Sequence, residues 1–133
     1  MYNVSVQIIK KRIYYHDTDS GGVVYYANYL KYLEEGRSEY FRDKGVDIKS
    51  WSQKGFWFVV RRVEIDYTSP ANYGDDLDVG SDIIRIKNVS LVFRQEVRRG
   101  DKVLVSADTV LVCVDSSFSP APLPDEIAGA LKS

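Results

Sequence analysis

Apolar positions recur along this chain with two periods, and the switch between them divides it into a strand, a helix and a second run of strands. Near the N-terminus Val4, Val6 and Ile8 alternate with polar neighbours, then the phase shifts through Ile9 and the Lys10-Lys11-Arg12 cluster to Ile13. Val4 to Tyr14 therefore reads as a strand with an irregularity, or an exposed face, at the basic cluster. From Tyr26 to Asp43 the period is helical and no proline interrupts it. Tyr29, Tyr32, Leu33, Gly36 and Tyr40 share one face, while Lys31, Glu34, Glu35 and Arg42 fall mostly elsewhere. A mid-helix glycine costs about 1 kcal/mol against alanine, so the helix is expected to press closely on a sheet at Gly36. Gly45 ends it, and Val46 to Gly55 is expected to be a loop or a short extra turn.

The remaining chain alternates with period two. Val63, Ile65 and Tyr67 interleave with Arg62, Glu64 and Asp66 until Pro70 stops the strand. Leu77 and Val79 have one parity and Ile84 and Ile86 the other, which predicts a bulge near Gly80-Ser81. Val89, Leu91, Phe93 and Val97 alternate with Ser90, Arg94, Glu96 and Arg98. Arg99-Gly100-Asp101 then turns tightly into Lys102 to Val114, whose later part is apolar on both faces. Such a strand is central, or its second face meets another subunit. Pro120, Pro122 and Pro124 stiffen the tail, and a last short helix is expected over Asp125 to Leu131.

The whole, residues 1–133, is read as one domain of α+β class. Hydrophobic residues make up 44% and charged residues 28%, as in a chain that folds around a core. A net charge of -1 provides no global field toward nucleic acid or an anionic membrane. Cys113 is the sole cysteine, which rules out an intrachain disulfide and suits a small core residue. Met1 to Ser5 is too polar for a signal peptide, and no apolar run is long enough to span a bilayer. The expected compartment is the cytoplasm.

The chemistry concentrates in Tyr15 to Tyr29, where two carboxylates flank a threonine beside the only histidine, followed by a glycine pair and the helix. Ending a strand, turning sharply and opening a helix points fresh N–H groups toward the acids. A carboxylate facing a helix N-terminus suits attack on a carbonyl whose developing oxyanion the helix end stabilises. Asp17 fits a turn-forming role, bonding the local backbone. His16 falls on the strand face opposite Asp17, as a supporting or simply exposed residue. The Asp17-Thr18-Asp19 string also suggests a divalent cation, but no further carboxylate cluster accompanies it, and no metal or cofactor is expected.

A helix wrapped by a five- or six-stranded antiparallel sheet, in this element order, is the hotdog architecture. Asp17 to Tyr29, read with Glu34, Arg37 and Glu39, resembles the signature of hotdog acyl-CoA thioesterases of the 4-hydroxybenzoyl-CoA thioesterase type. The bacterial subgroup associated with the Tol-Pal envelope system is the nearer match. The resemblance implies Asp19 as catalytic carboxylate, acting as nucleophile or general base, and the Tyr26 backbone N–H as oxyanion donor. That subgroup often carries histidine where Tyr26 stands, a change that leaves the N–H unaffected. Gly22 and Val23 are expected against the substrate, and Lys87, Asn88 and Ser90 near the nucleotide of coenzyme A. Arg61 and Arg62 offer a second basic cluster. Phe56, Trp57 and Phe58 are acyl-pocket or core residues. The implied partners are a small or medium acyl-CoA and further copies of the chain, as homodimer or homotetramer. The rival readings are an enoyl-thioester hydratase, for which His16 is the sole histidine, and a non-enzymatic acyl-CoA-binding module.

Overall fold

The computed structural model describes residues 6–133. Five strands, β1 (Gln7–Arg12), β2 (Trp57–Tyr67), β3 (Asp76–Ile86), β4 (Ser90–Arg99) and β5 (Lys102–Val114), form one sheet in the order β1-β3-β4-β5-β2. Every neighbouring pair is antiparallel. The helix α1 (Asn28–Asp43) lies across the inner face, α2 (Ile48–Gln53) follows it, and α3 (Asp125–Lys132) ends the chain. This is the wrapped-helix α+β arrangement expected, with five strands.

The face of α1 set by its 3.6-residue period is the buried one: Tyr29, Tyr32, Leu33, Gly36 and Tyr40 all turn to the sheet. Gly36 sits at the closest approach. A Cβ there would stand 2.7 Å from Ser81 Oγ and 3.0 Å from both Gln95 Nε2 and Val79 Cγ1. Beneath it the Gln95 amide donates to Ser81 Oγ and the Leu33 carbonyl, each at 2.8 Å, and accepts from the Arg37 guanidinium at 3.1 Å. This buried polar seam lies between an upper apolar cluster around Tyr32 and Leu77 and a lower one around Phe41 and Phe93.

Several boundaries differ from expectation. The helix begins at Asn28 rather than Tyr26, and Tyr26-Ala27 form the turn that leads into it. The stretch Val46 to Gly55 contains the two-turn helix α2, and β2 starts at Trp57, with a bulge at Val60/Arg62. The β3 bulge falls at Ile83/Arg85, not at Gly80-Ser81. Ser81 is needed in the regular ladder opposite Gln95, where both side chains lie under Gly36.

β1 pairs without interruption from Gln7↔Ser81 to Arg12↔Asp76, so of the two readings of the basic cluster the exposed face holds, with Lys10 and Arg12 exposed, and the irregularity does not. Its inward positions are Ile9 and Lys11, leading to Ile13, while Ile8 faces out. Lys11 takes an inward place because its stem lies along the Tyr32 ring, with the ammonium 5.0 Å from the centroid. Val4, assigned to this strand, lies outside the described residues. At the other end of the chain β5 is central, and the tail packs along its last residues through Val114↔Pro120 and the Ala121 N–H to Cys113 carbonyl bond. The last residues of that strand, Leu111 to Val114, are therefore buried within one chain, while Val103, Ser106, Asp108 and Val110 stay partly exposed on the outer face.

Candidate active site

Asp17 to Tyr25 form a miniature hairpin. The Tyr25 N–H donates to the Asp17 carbonyl (3.0 Å), Thr18 bridges Val24, and the Asp19 N–H donates to the Val23 carbonyl (2.9 Å). Its tip is closed by the Gly22 N–H on the Asp19 carbonyl at 3.1 Å. Gly22 has φ +80°, a left-handed conformation that favours glycine. At Gly21 a Cβ would come within 3.3 Å of Asp19 Oδ1, so this position leaves room for the acid. The second arm leans on residues 71–73: Val24 N–H donates to Ala71 carbonyl, and Val23 bridges Asn72. Residues far apart in sequence thus hold the acid loop against the start of β3.

The two aspartates have separate environments. Asp17 is buried, and burial alone would lift its pKa. The hydrogen bond from the Tyr14 N–H, the nearby Tyr32 hydroxyl and the charges of His16 and Lys11 outweigh burial, and the carboxyl titrates below its ordinary range. In return, burial and the neighbouring Asp17 carboxylate drive the Tyr32 hydroxyl pKa far upward. Asp19 is exposed: its Oδ1 accepts the Gly21 N–H at 2.8 Å, and its Oδ2 has no partner among the described residues. The turn-forming role occupies one oxygen and leaves the other to meet a ligand.

His16 lies in a short 3-10 turn (Tyr15–Asp17), not on a strand, and its side chain is 81% exposed. It stacks on Tyr14 and stands 3.8 Å from Asp17, facing solvent rather than the Asp19 side of the loop.

Tyr26 follows the hairpin. Its carbonyl accepts the Tyr29 N–H and, at 3.4 Å, the Tyr67 hydroxyl. The N–H groups of Tyr26 and Ala27 have no acceptor among the described residues. No side chain caps α1, and its first turn holds no acid. Beside this helix end lies a groove of about 270 Å³ lined by Val24, Tyr26, Tyr29, Tyr67 and Thr68 to Pro70. A larger groove, about 440 Å³, lies where α1 meets α2, between Arg42 and Lys49, far from both aspartates in the fold. Size alone does not mark the site.

The sequence-based candidates fall into two groups. Asp19, Gly22, Val23 and Tyr26 gather at one end of the sheet. Lys87, Asn88 and Ser90 form the β3–β4 turn at the other end, where the Asn88 carbonyl accepts the Leu123 N–H and Ser90 is buried. The eleven residues of β3, at about 3.3 Å each, put roughly 30 Å between the groups within one chain. Arg62 is engaged by Glu64. Phe56 and Phe58 pack into the lower core, Phe58 stacking on Phe41, and Trp57 stacks on Phe118. The tyrosine groove was missed from sequence: Pro70 marked a strand end there, but nothing local indicates that Tyr67 returns to Tyr26. Among the described residues no cluster of three or more His, Cys, Asp or Glu is placed to hold a metal ion. No helix there is long and apolar enough to cross a membrane.

An exposed carboxylate on a glycine turn and an uncapped helix end thus lie at the same end of the sheet. Residues 14–131 match the thioesterase-like superfamily, and the chain belongs to it as a hotdog-fold thioester hydrolase. Among individual relatives, it is 35% identical to the acyl-CoA thioester hydrolase YbgC of Escherichia coli O6:H1, over 91% of this chain and 92% of that one. A probable thioesterase from Bartonella henselae superposes with a TM-score of 0.81 at 32% identity, covering 90% of this chain and 99% of that one. The fold is shared with a 4-hydroxybenzoyl-CoA thioesterase mutant crystallised with 4-hydroxybenzoyl-CoA, with a TM-score of 0.89 at 21% identity, covering 96% and 99%.

Proposed function

We propose that this chain hydrolyses acyl-CoA thioesters of small or medium acyl groups, with Asp19 driving the attack and the Tyr26 N–H receiving the oxyanion. The observation that carries the reading is the unsatisfied N–H pair at the start of α1 beside an acid with one oxygen free. Val23 faces Asp19, and three extended residues lead from it to Tyr26, a span of about 10 Å. One carboxylate arm, a reacting carbonyl and one hydrogen bond fill that span. Thioester resonance is weak, so a carboxylate attacks the carbonyl carbon or deprotonates a water that does. On the first route the Asp19 C–O bond forms, the C–S bond breaks, and water then hydrolyses the acyl-Asp19 anhydride to the free acid and the regenerated carboxylate. On the second the water oxygen forms the C–O bond, and the proton Asp19 took from it passes to the departing coenzyme A thiolate. Gly22 and Val23 form the wall of this path, and the apolar groove beside Tyr26 receives the acyl group.

The roughly 30 Å between Asp19 and Lys87, Asn88 and Ser90 supports a homodimer or homotetramer as the working unit. An antiparallel pair of copies returns the β3–β4 turn of one to the Asp19 loop of the other, where Lys87 meets the phosphates of the nucleotide.

Purified protein assayed for free thiol against a series of acyl-CoAs is expected to turn over the smaller ones. Asp19→Asn is expected to lose activity by about 100-fold or more with an unchanged melting curve. An Asp19→Asn variant as fast as the parent would defeat the assignment. After a single turnover in H₂¹⁸O, label in the Asp19 carboxyl identifies nucleophilic attack, because general-base hydrolysis places it in the product acid alone.

A further inference from the structure

The geometry points to Asn28 as a positioning residue that sets the Tyr26 N–H against the Asp19 loop, an inference that rests on the thioesterase site proposed above. Asn28 is the first residue of α1 and is half-buried. An asparagine at a helix start ordinarily accepts a hydrogen bond from the helix backbone. This one donates instead: its Nδ2 reaches back to the Asp17 carbonyl at 2.9 Å. The same carbonyl accepts the Tyr25 N–H at 3.0 Å. The two donors flank Tyr26 and Ala27, so one acceptor, two residues before Asp19, holds both ends of the segment with the free N–H groups.

The acceptor is itself fixed. The Asp17 carboxylate takes the Tyr14 N–H at 2.8 Å, and the following residues pair across the hairpin with Val23 and Val24. Only a side-chain donor of this length completes the tether. An aspartate would turn an acceptor toward an acceptor, and an alanine would leave the Asp17 carbonyl with the Tyr25 N–H alone. Loss of the tether frees the first turn of α1 to rotate against the hairpin. Displacement of a reacting group by about 1 Å costs on the order of 100-fold in rate.

The test compares the parent with Asn28→Ala, Asn28→Asp and Asn28→His in the full-length protein. For Asn28→Ala and Asn28→Asp, kcat on the best acyl-CoA is expected to fall about tenfold or more, with KM within about threefold and a cooperative melt. Asn28→His, whose Nδ1–H takes the place of Nδ2, is expected to recover most of kcat. Independently of turnover, hydrogen exchange at the Tyr25 N–H is expected to accelerate in Asn28→Ala. Parental kcat in Asn28→Ala, a loss confined to KM, no rescue by histidine, or unchanged exchange at Tyr25 each overturns the inference. A parent inactive on every thioester overturns the activity reading and the positioning role of Asn28 with it. The exchange rates then decide whether the tether itself exists.

Discussion

The N-termini of α1 and α2 are built in opposite ways. At α2, Asp47 takes an extended conformation and its carboxylate accepts the Ser50 N–H at 3.2 Å, as a helix cap normally does. The short helix α3 likewise carries Asp125 and Glu126 in its first turn. At α1, much the longest of the three, Ala27 occupies the cap position in helical conformation, offers no acceptor, and is followed by a first turn without an acid. Its asparagine turns away to bind the Asp17 carbonyl. The longest of the three helices is the one whose start carries no acid, at the same end of the sheet as Asp19. Capping stabilises a helix by satisfying its N–H groups, while an oxyanion site needs those groups unsatisfied. The two requirements conflict, and the α1 start is left without a cap, as the proposed oxyanion role requires.

Closing the open helix end is the strongest way to break this contrast. Ala27→Asp brings a carboxylate to the free N–H groups and is expected to lower kcat/KM by about tenfold or more while leaving or raising the melting temperature. Steady-state kinetics beside a thermal melt reads both, and a variant with parental kcat/KM would show that the end is not used. Opening the closed end is the converse. Asp47→Ala is expected to cost about 1 kcal/mol of stability with kcat unchanged, measured by denaturant titration and the same assay. A milder change at α1 is Lys31→Glu, which places an exposed acid in the first turn. It is expected to slow hydrolysis only about two- to fivefold, an effect that shrinks as salt is added.

The smallest effect is the acid sensitivity of the loop. Because the Asp17 carboxyl titrates below its ordinary range in the fold, the unfolded chain binds its proton more tightly. Its stabilisation is therefore complete above the ordinary carboxylate pKa and is lost as pH falls through the lower, folded value. Melting temperature followed from pH 5 to 3, about the range where such carboxyls titrate, is expected to drop more steeply for the parent than for Asp17→Asn. Parallel curves would remove Asp17 from the account of the loop.

Much of this arrangement is legible in the sequence. The buried face of α1 and the close approach at Gly36 follow from helical period and from the cost of a glycine inside a helix. The glycine pair after Asp19 likewise announced a tight turn beside an acid. Errors arose where local pattern was overruled by a contact. The β1 phase was misread because Lys11 borrows the Tyr32 ring to sit inward. The bulge was misplaced because Ser81 serves the seam under Gly36. His16 was assigned a strand face, but the chain coils into a 3-10 turn there and releases the ring to solvent.

Periodicity and glycine placement are properties of neighbouring residues, so the sequence by itself determined the elements, the inward face of α1 and the turn that presents Asp19. Which N–H groups remain unsatisfied is a matter of what approaches them, and that only the tertiary structure decided. Tyr67 reaches Tyr26 across 41 residues, Ala71 receives the second arm of the hairpin, and Asn28 binds backward rather than capping forward. None of these contacts has a local signature, because each depends on where the sheet brings distant backbone to rest.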